Sequence, residues 1–381
     1  MMTSSPRRSI PTIDRISNLP DSILCHILSD LPTKQAAATI ILSKSWKDVW
    51  LSTLALDFDD ETFTDFKSFH EFVYSTMFKL RNKKTPIHSF TLKLGNSSRF
   101  NQKQFNRMFK FVMERGCVNL DFNMNGKYYV IKIPQRILSF KTLEVLKLTN
   151  LEMRDFDQVD FPKLKTLSLD RVKFKSHEYF VKFLFACPVL EDLHTKSIQF
   201  HGALLEKENL IALPNLVKVR FNDTHTPMSL VCKAKIFHLE KMSISSAGLP
   251  VFHNLTHMEL SVHDYHYLYL YVKCTWLLGI LQYFPKLQHF IIKDCGESSH
   301  TNCFNCWKRP DTAPECISSQ LKTCSIQLYR GGEYEFEFVK YIMQHSKVLE
   351  KMIVTCLLNN EVLHKLSSCT RGSTRCKLLF G

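Results

Sequence analysis

The stretches that decide the fold are Leu143-Glu-Val-Leu-Lys-Leu148 and Leu164-Lys-Thr-Leu-Ser-Leu169. Each reads apolar, two of anything, apolar, one of anything, apolar. Alternation at the last three positions is strand spacing, with one face turned inward. The step recurs as Ile87/Phe90/Leu92, Cys117/Leu120/Phe122, Leu216/Val219/Phe221, Leu239/Met242/Ile244 and Leu255/Met258/Leu260. Further copies are Leu287/Phe290/Ile292, Leu321/Cys324/Ile326 and Leu349/Met352/Val354, with Leu190-x-x-Leu193 a partial one. Their first residues lie mostly 21 to 34 apart, and the interval of 16 from Leu239 to Leu255 reads as a degenerate unit. A recurring period of this size marks a stacked-repeat architecture. One unit cannot bury its own apolar residues, so successive units stack into a curved solenoid. An ordinary α/β domain would explain single copies but not about ten in series.

Outward from these strands, Pro162, Pro188, Pro214 and Pro285 punctuate strand entry. The run Tyr179 to Ala186 reads as a returning helix between two strands. Upstream, Leu54-Ala-Leu-Asp-Phe-Asp-Asp60 reads as a strand and a turn. Phe63, Phe66, Phe69, Phe72, Val73 and Met77 then suggest a phenylalanine-rich helix that caps the repeats as core rather than as a ligand box. Downstream, Phe338, Tyr341 and Ile342 make the apolar face of a late helix, and Cys376 to Phe380 a last strand.

Residues 18–50 have a different grammar. Two Leu-Pro steps, Leu19-Pro20 and Leu31-Pro32, bracket a short apolar run. Pro20 suits a first helical position, because its missing N–H needs no partner there. Ile23, Leu24, Ile27 and Leu28 recur at helical spacing and predict one apolar face. Pro32 ends the run, since the residue before a proline avoids the α region. Thr33 can cap a second helix containing Ala36, Ala37, Ile40 and Ile41, and Ser43 a third carrying Trp46, Val49 and Trp50. A segment of about 40 residues buries too little surface to stand alone. Some of its apolar surface is therefore expected under a partner or the next domain.

The ordered set of Leu-Pro steps, the Pro32-Thr-Lys34 turn and Ser43-Lys-Ser-Trp46 resembles an F-box. Phe185-Ala-Cys-Pro-Val-Leu-Glu-Asp-Leu193 is similar to a step common in plant F-box proteins with irregular leucine-rich repeats. Pro314 to Thr323, Gly331-Gly-Glu333, Phe338 to Ile342, Leu349 to Met352 and Arg371 to Phe380 resemble the FBD region that follows such repeats. The resemblance implies an α/β chain: a flexible lead over 1–11, an F-box over 12–53, leucine-rich repeats over 54–311 and an FBD region over 312–381. It also implies a non-catalytic subunit that recruits a protein substrate to a ubiquitin ligase through a Skp-type adaptor and a cullin. Leu19, Pro20, Ile23, Ile27, Leu31, Pro32, Leu42 and Trp46 are then expected to contact the adaptor or to hold the contact surface. Asp30 and Ser45 depart from the family pattern, where an apolar or aromatic residue and an arginine are usual. A carboxylate facing an adaptor is costly unless paired. The alternative is thus a repeat scaffold with a degenerate F-box.

Composition agrees with a folded, non-membrane chain. The 381 residues are 45% hydrophobic and 12% aromatic, enough for a core. No run reaches the roughly 18 apolar residues of a membrane span. Thirteen cysteines at irregular spacing, without a secretory signal, point to reduced thiols in the cytoplasm or nucleus. The formal charge is +14, but it is spread along the chain apart from Arg81-Asn-Lys-Lys84. The dense basic stripe of a nucleic-acid binder is absent, so nucleic acid is not an expected partner. Cys295, His300, Cys303 and Cys306 include a Cys-x-x-Cys step of metal-ligand spacing. No second arm stands at the usual separation, so neither a metal nor another cofactor is expected. His253, His257, His263 and His266 read as loop and surface residues. Neither a phosphate-binding glycine loop nor a nucleophile elbow is present.

Overall fold

The computed structural model describes residues 16–81, 86–96, 98–125, 130–201, 210–222, 226–240, 248–262, 270–294, 312–329, 331–356 and 360–381. The chain divides into two compact units, Met1–Tyr129 and Val130–Gly381.

The first unit opens with three short helices, α1 (Asp21–Ser29), α2 (Thr33–Ala38) and α3 (Lys44–Leu51), with a 3-10 turn at Thr39–Ile41. Strand β1 (Ala55–Asp59), helix α4 (Phe66–Leu80), strand β2 (Ser89–Leu94), helix α5 (Gln102–Met113) and strand β3 (Asn119–Met124) follow. The strands pair in parallel, Leu56 beside Phe90 beside Leu120 and Phe58 beside Leu92 beside Phe122. Phe58, Phe90 and Phe122 stack edge-on down the core, with ring centroids 5.9 Å apart at each step. Helix α4 starts where the Asp65 carboxylate accepts the Ser68 N–H at 2.8 Å. Asn101 and Gln104 form a reciprocal capping box at the head of α5. Helix α5 buries Phe105, Phe109 and Phe111 and α4 buries Phe69, while Phe66 and Phe72 are half-buried and Phe78 is exposed.

The second unit continues the strand-and-return theme. In chain order its elements begin with β4 (Ile131–Ile133), β5 (Val145–Thr149), β6 (Leu151–Met153), β7 (Thr166–Asp170), β8 (Lys173–Phe174), α6 (His177–Phe185), β9 (Asp192–Lys196) and β10 (Gln199–Phe200). Next come β11 (Lys218–Phe221), α7 (Met228–Val231), β12 (Ile236–Glu240), β13 (His257–Val262), α8 (Leu270–Leu281) and β14 (His289–Asp294). The last are α9 (Glu315–Ser319), β15 (Thr323–Tyr329), α10 (Glu333–His345), β16 (Lys351–Cys356), α11 (Asn360–Ser367) and β17 (Lys377–Phe380). The main sheet is parallel in the order β5-β7-β9-β11-β12-β13-β14-β15-β16-β17. Its inward row is Leu146, Leu167, Leu193, Val219, Phe237, Met258, Phe290, Cys324, Met352 and Leu378, each beside the next. All of these but Leu378, on the edge strand, are buried. The sheets are open, with no closed barrel, as in a repeat solenoid.

Three expectations change. The copy placed at Leu239/Met242/Ile244 is in another register: β12 runs Ile236–Glu240, so Ala234, Phe237 and Leu239 fill the three inward positions. Met242 and Ile244 lie outside the described residues. Ala234 escaped notice because its apolar side chain is small, and the short interval moves to Leu216–Ala234. Second, not every unit returns by a helix. After β5, β7 and β9 the chain turns a corner into the short strands β6, β8 and β10, which with β4 form a second parallel sheet, β10-β8-β6-β4. Each corner carries a residue in left-handed backbone: Asn150 at φ 57°, Arg171 at φ 51° and Ser197 at φ 52°. Third, the 18–50 segment differs at its helix starts. Pro20 and Pro32 occupy the cap positions, and Thr33 is the first helical residue.

Candidate functional site

Within the helical trio, Leu24, Leu28, Ala36, Trp46, Val49 and Trp50 form a small core, with Leu31, Ala37 and Ile40 packed against it. Ile23 and Ile27 do not share that face. They point outward, 47% and 42% exposed, while Leu24 and Leu28 point in. Ile23 and Ile27 are one turn apart, so they line one side of the helix. Leu19, just before α1, and Leu42, after the 3-10 turn, are exposed too. Of the sequence-predicted contact residues, Leu19, Pro20, Ile23, Ile27 and Leu42 are therefore on the surface. Leu31 and Pro32 are half-buried, and Trp46 is only 5% exposed. Trp46 holds the trio together: its Nε1–H donates to Ser17 Oγ at 3.0 Å, and its backbone N–H reaches Ser43 Oγ at 3.5 Å.

The sequence reading counted Ile41 in the apolar content of the second helix and did not single out Ile16. Ile41 is 88% exposed, because the 3-10 turn at its position rotates it out of the helical pattern. Ile16 lies ahead of the first Leu-Pro step, and its exposure had no periodic signal to reveal it.

The trio is fixed to the first strand. Thr33 Oγ1, buried, accepts the Asp57 N–H at 2.7 Å, and Ser29 Oγ accepts the Leu54 N–H at 3.2 Å. Lys34 Nζ donates to the Thr62 carbonyl at 2.6 Å and sits 4.2 Å from the Phe63 ring centre. Asp30 and Ser45 are exposed, and Ser45 Oγ is 2.7 Å from Ser43 Oγ. The outward apolar side chains thus ride on a rigid base.

A second feature lies on the outward face of the main sheet. His194, Arg220, His238, Glu259 and Ile291 stand side by side on neighbouring strands. Glu259 accepts from Lys293 and lies 3.1 Å from His238 Nδ1. Burial pushes the Glu259 carboxyl up, but its bonds from Lys293 and the His238 ring outweigh that and hold it below its ordinary range. Burial, then the Arg220 charge, lowers the His194 pKa. Burial lowers His238 too, against the pull of Glu259. His257, at the start of β13, stacks on His289 with centroids 4.3 Å apart, while His263 and His266 lie outside the described residues.

Burial raises the thiols of Cys117, Cys316 and Cys324 to about 12, the opposite of an activated nucleophile. Among the described residues no group of three His, Cys, Asp or Glu could hold a metal ion. Cys295, His300, Cys303 and Cys306 lie outside them. Among the described residues no helix is long and apolar enough to cross a membrane.

Family models match three segments: the F-box domain over residues 16–54, the leucine-rich repeats of FBD-associated F-box protein At5g56370 over 105–213, and FBD over 309–354. This chain carries an F-box, leucine-rich repeats and an FBD region. The Arabidopsis thaliana F-box/LRR-repeat protein At4g14096 is 27% identical to it, over 90% of this chain and 87% of that protein. The Arabidopsis F-box/FBD/LRR-repeat protein At5g56420 is 26% identical, over 96% of this chain and 99% of its own length. An F-box implies, in general, a Skp-type adaptor as partner and a non-catalytic receptor role. In this F-box protein the helical trio coincides with the F-box match, and α9 to β16 fall within the FBD match or close beside it.

Proposed function

We propose that this F-box protein is the substrate-recruiting subunit of a Skp–cullin–F-box ubiquitin ligase. The observation that carries the reading is the pair Ile23 and Ile27, turned to solvent from a helix whose other apolar face already fills the core. Fully burying one such side chain is worth about 1.5–3 kcal/mol. A few of them under an adaptor would dominate the affinity, as hot spots do. Leu19 and Leu42 extend the contact, while Trp46, Leu31 and Pro32 hold its shape from behind. The hydrogen bonds that Thr33 and Ser29 accept carry the orientation of the docked helix into the first strand. Rate enhancement then comes from holding a target beside a charged ubiquitin-conjugating enzyme, at high effective concentration. The protein works in the cytoplasm or nucleus and needs no cofactor.

A second reading keeps a place because Asp30 is exposed on the same short helical trio. If its side meets the adaptor, the chain would be a repeat scaffold that no longer docks. Co-purification with a panel of plant Skp-type adaptors and a cullin separates the two. Wild type should pull down adaptor and cullin together, and Leu19→Ala/Pro20→Ala should lose both. Capture by Asp30→Phe alone would establish the scaffold reading. No capture by any form would overturn the ligase reading for those adaptors.

A further inference from the structure

On the outward face of strands β11 to β14 lies an open cleft of about 350 Å³, bordered by Arg220, His238, Glu240, Glu259, Ser261 and Lys293. Its charges are mostly engaged. Glu259 is held by Lys293 and His238, and Glu240 accepts from Asn222 Nδ2 at 2.7 Å. Arg220 is the exception: among the described residues no hydrogen bond or ion pair engages its guanidinium. The side chains beside it on the neighbouring strands are His194 and His238, whose pKa values are lowered. They add no further positive charge beside it near neutral pH, and Glu240 and Glu259 border the same cleft.

We infer that this cleft is a recognition site for one carboxylate side chain, Asp or Glu, in an acidic segment of the target protein, anchored on Arg220. A half-buried guanidinium carries a fixed fork of donors, which a carboxylate matches with two parallel hydrogen bonds. Glu240 and Glu259 on the rim make the site hostile to a doubly charged phosphate and tolerant of a single negative charge. The lining is polar, unlike the largely apolar walls of a small-molecule pocket, so an acidic peptide segment is the better occupant. His194 spends Nδ1 on Ser168 at 3.2 Å and His238 spends Nδ1 on Glu259, which leaves both Nε2 atoms for further hydrogen bonds.

This inference rests on the reading that the repeats hold a target, and not on adaptor docking. The test uses the full chain and a positional-scanning peptide library, with phosphoserine included among the residues scanned. Wild type should select Asp or Glu at one position. Arg220→Gln should lower that selectivity by at least about tenfold, whereas Arg220→Lys should keep part of it. Glu259→Gln controls for general disturbance of the face and should keep the acidic selection. Absence of acidic selection, or selection untouched by Arg220→Gln, overturns the site. Phosphoserine preferred over Asp and Glu in an Arg220-dependent way overturns the carboxylate assignment. Adaptor capture is measured on the same preparations. Its failure with acidic selection intact sinks the ligase reading alone.

Discussion

Trp46 and Ile23 belong to the same helical trio, and their surroundings assign them opposite tasks. Trp46 is buried with its indole N–H satisfied, so Trp46→Ala should cost about 3–5 kcal/mol through the cavity it leaves. Ile23→Asp puts a charge where solvent already reaches, so the melting temperature should stay within about a degree or two of wild type. Differential scanning calorimetry of the two variants checks both statements. The sequence announced both residues as apolar at helical spacing but could not assign their directions. Ile23, Leu24, Ile27 and Leu28 make two adjacent pairs, and spacing alone does not say which pair faces the core. Thr33 shows the same limit. A threonine after a proline reads as a cap, yet its hydroxyl is used to accept the Asp57 N–H from the next element. Only the tertiary partner reveals that role.

At the scale of single elements, β12 is the instructive case. Its inward residues are Ala234, Phe237 and Leu239, all buried. A search for large apolar residues slid the pattern toward Leu239, Met242 and Ile244, because alanine at the leading position gives no signal. In the observed register Phe237 meets Phe221 edge-on and Phe252 at a tilt, with centroids 5.5 Å and 5.7 Å apart. Phe237→Ala should therefore cost about 3–5 kcal/mol. Ala234→Leu should overpack its site and cost about 1–3 kcal/mol. Urea titration measures both, and a harmless Ala234→Leu would contradict the register. The other strands were legible because a large apolar residue stands at most inward positions, with Cys117, Cys324 and Thr195 among the exceptions. The corners at Asn150, Arg171 and Ser197 were not, since none of the three is glycine and the strands they lead into have only two or three residues.

Across the whole molecule, the fold was readable from repetition and the outward face of the sheet was not. Ten related strands reinforce one another in sequence, whereas the outward side chains follow no period. The face built from them has a testable pH signature. His194, His238 and His289 all have pKa values lowered from the ordinary 6.5, burial being the first cause in each. The unfolded chain then binds more protons than the folded one between 6.5 and the lowered values. Their contribution to stability is complete above 6.5 and is lost as pH falls through the folded pKa values. Thermal midpoints measured from pH 7.5 to 5 should fall with acidity, and His194→Gln/His238→Gln should flatten that fall.

The central claim is that the outward side of α1 docks a Skp-type adaptor. Its most direct test is the dissociation constant of a purified adaptor for wild type and for Ile23→Asp/Ile27→Asp, by calorimetry, with melting temperatures recorded in parallel. The account predicts at least about a hundredfold weaker binding at an unchanged melting temperature, the loss of two buried anchors at a contact. Binding that survives the double substitution, in a variant that still melts like wild type, would contradict it.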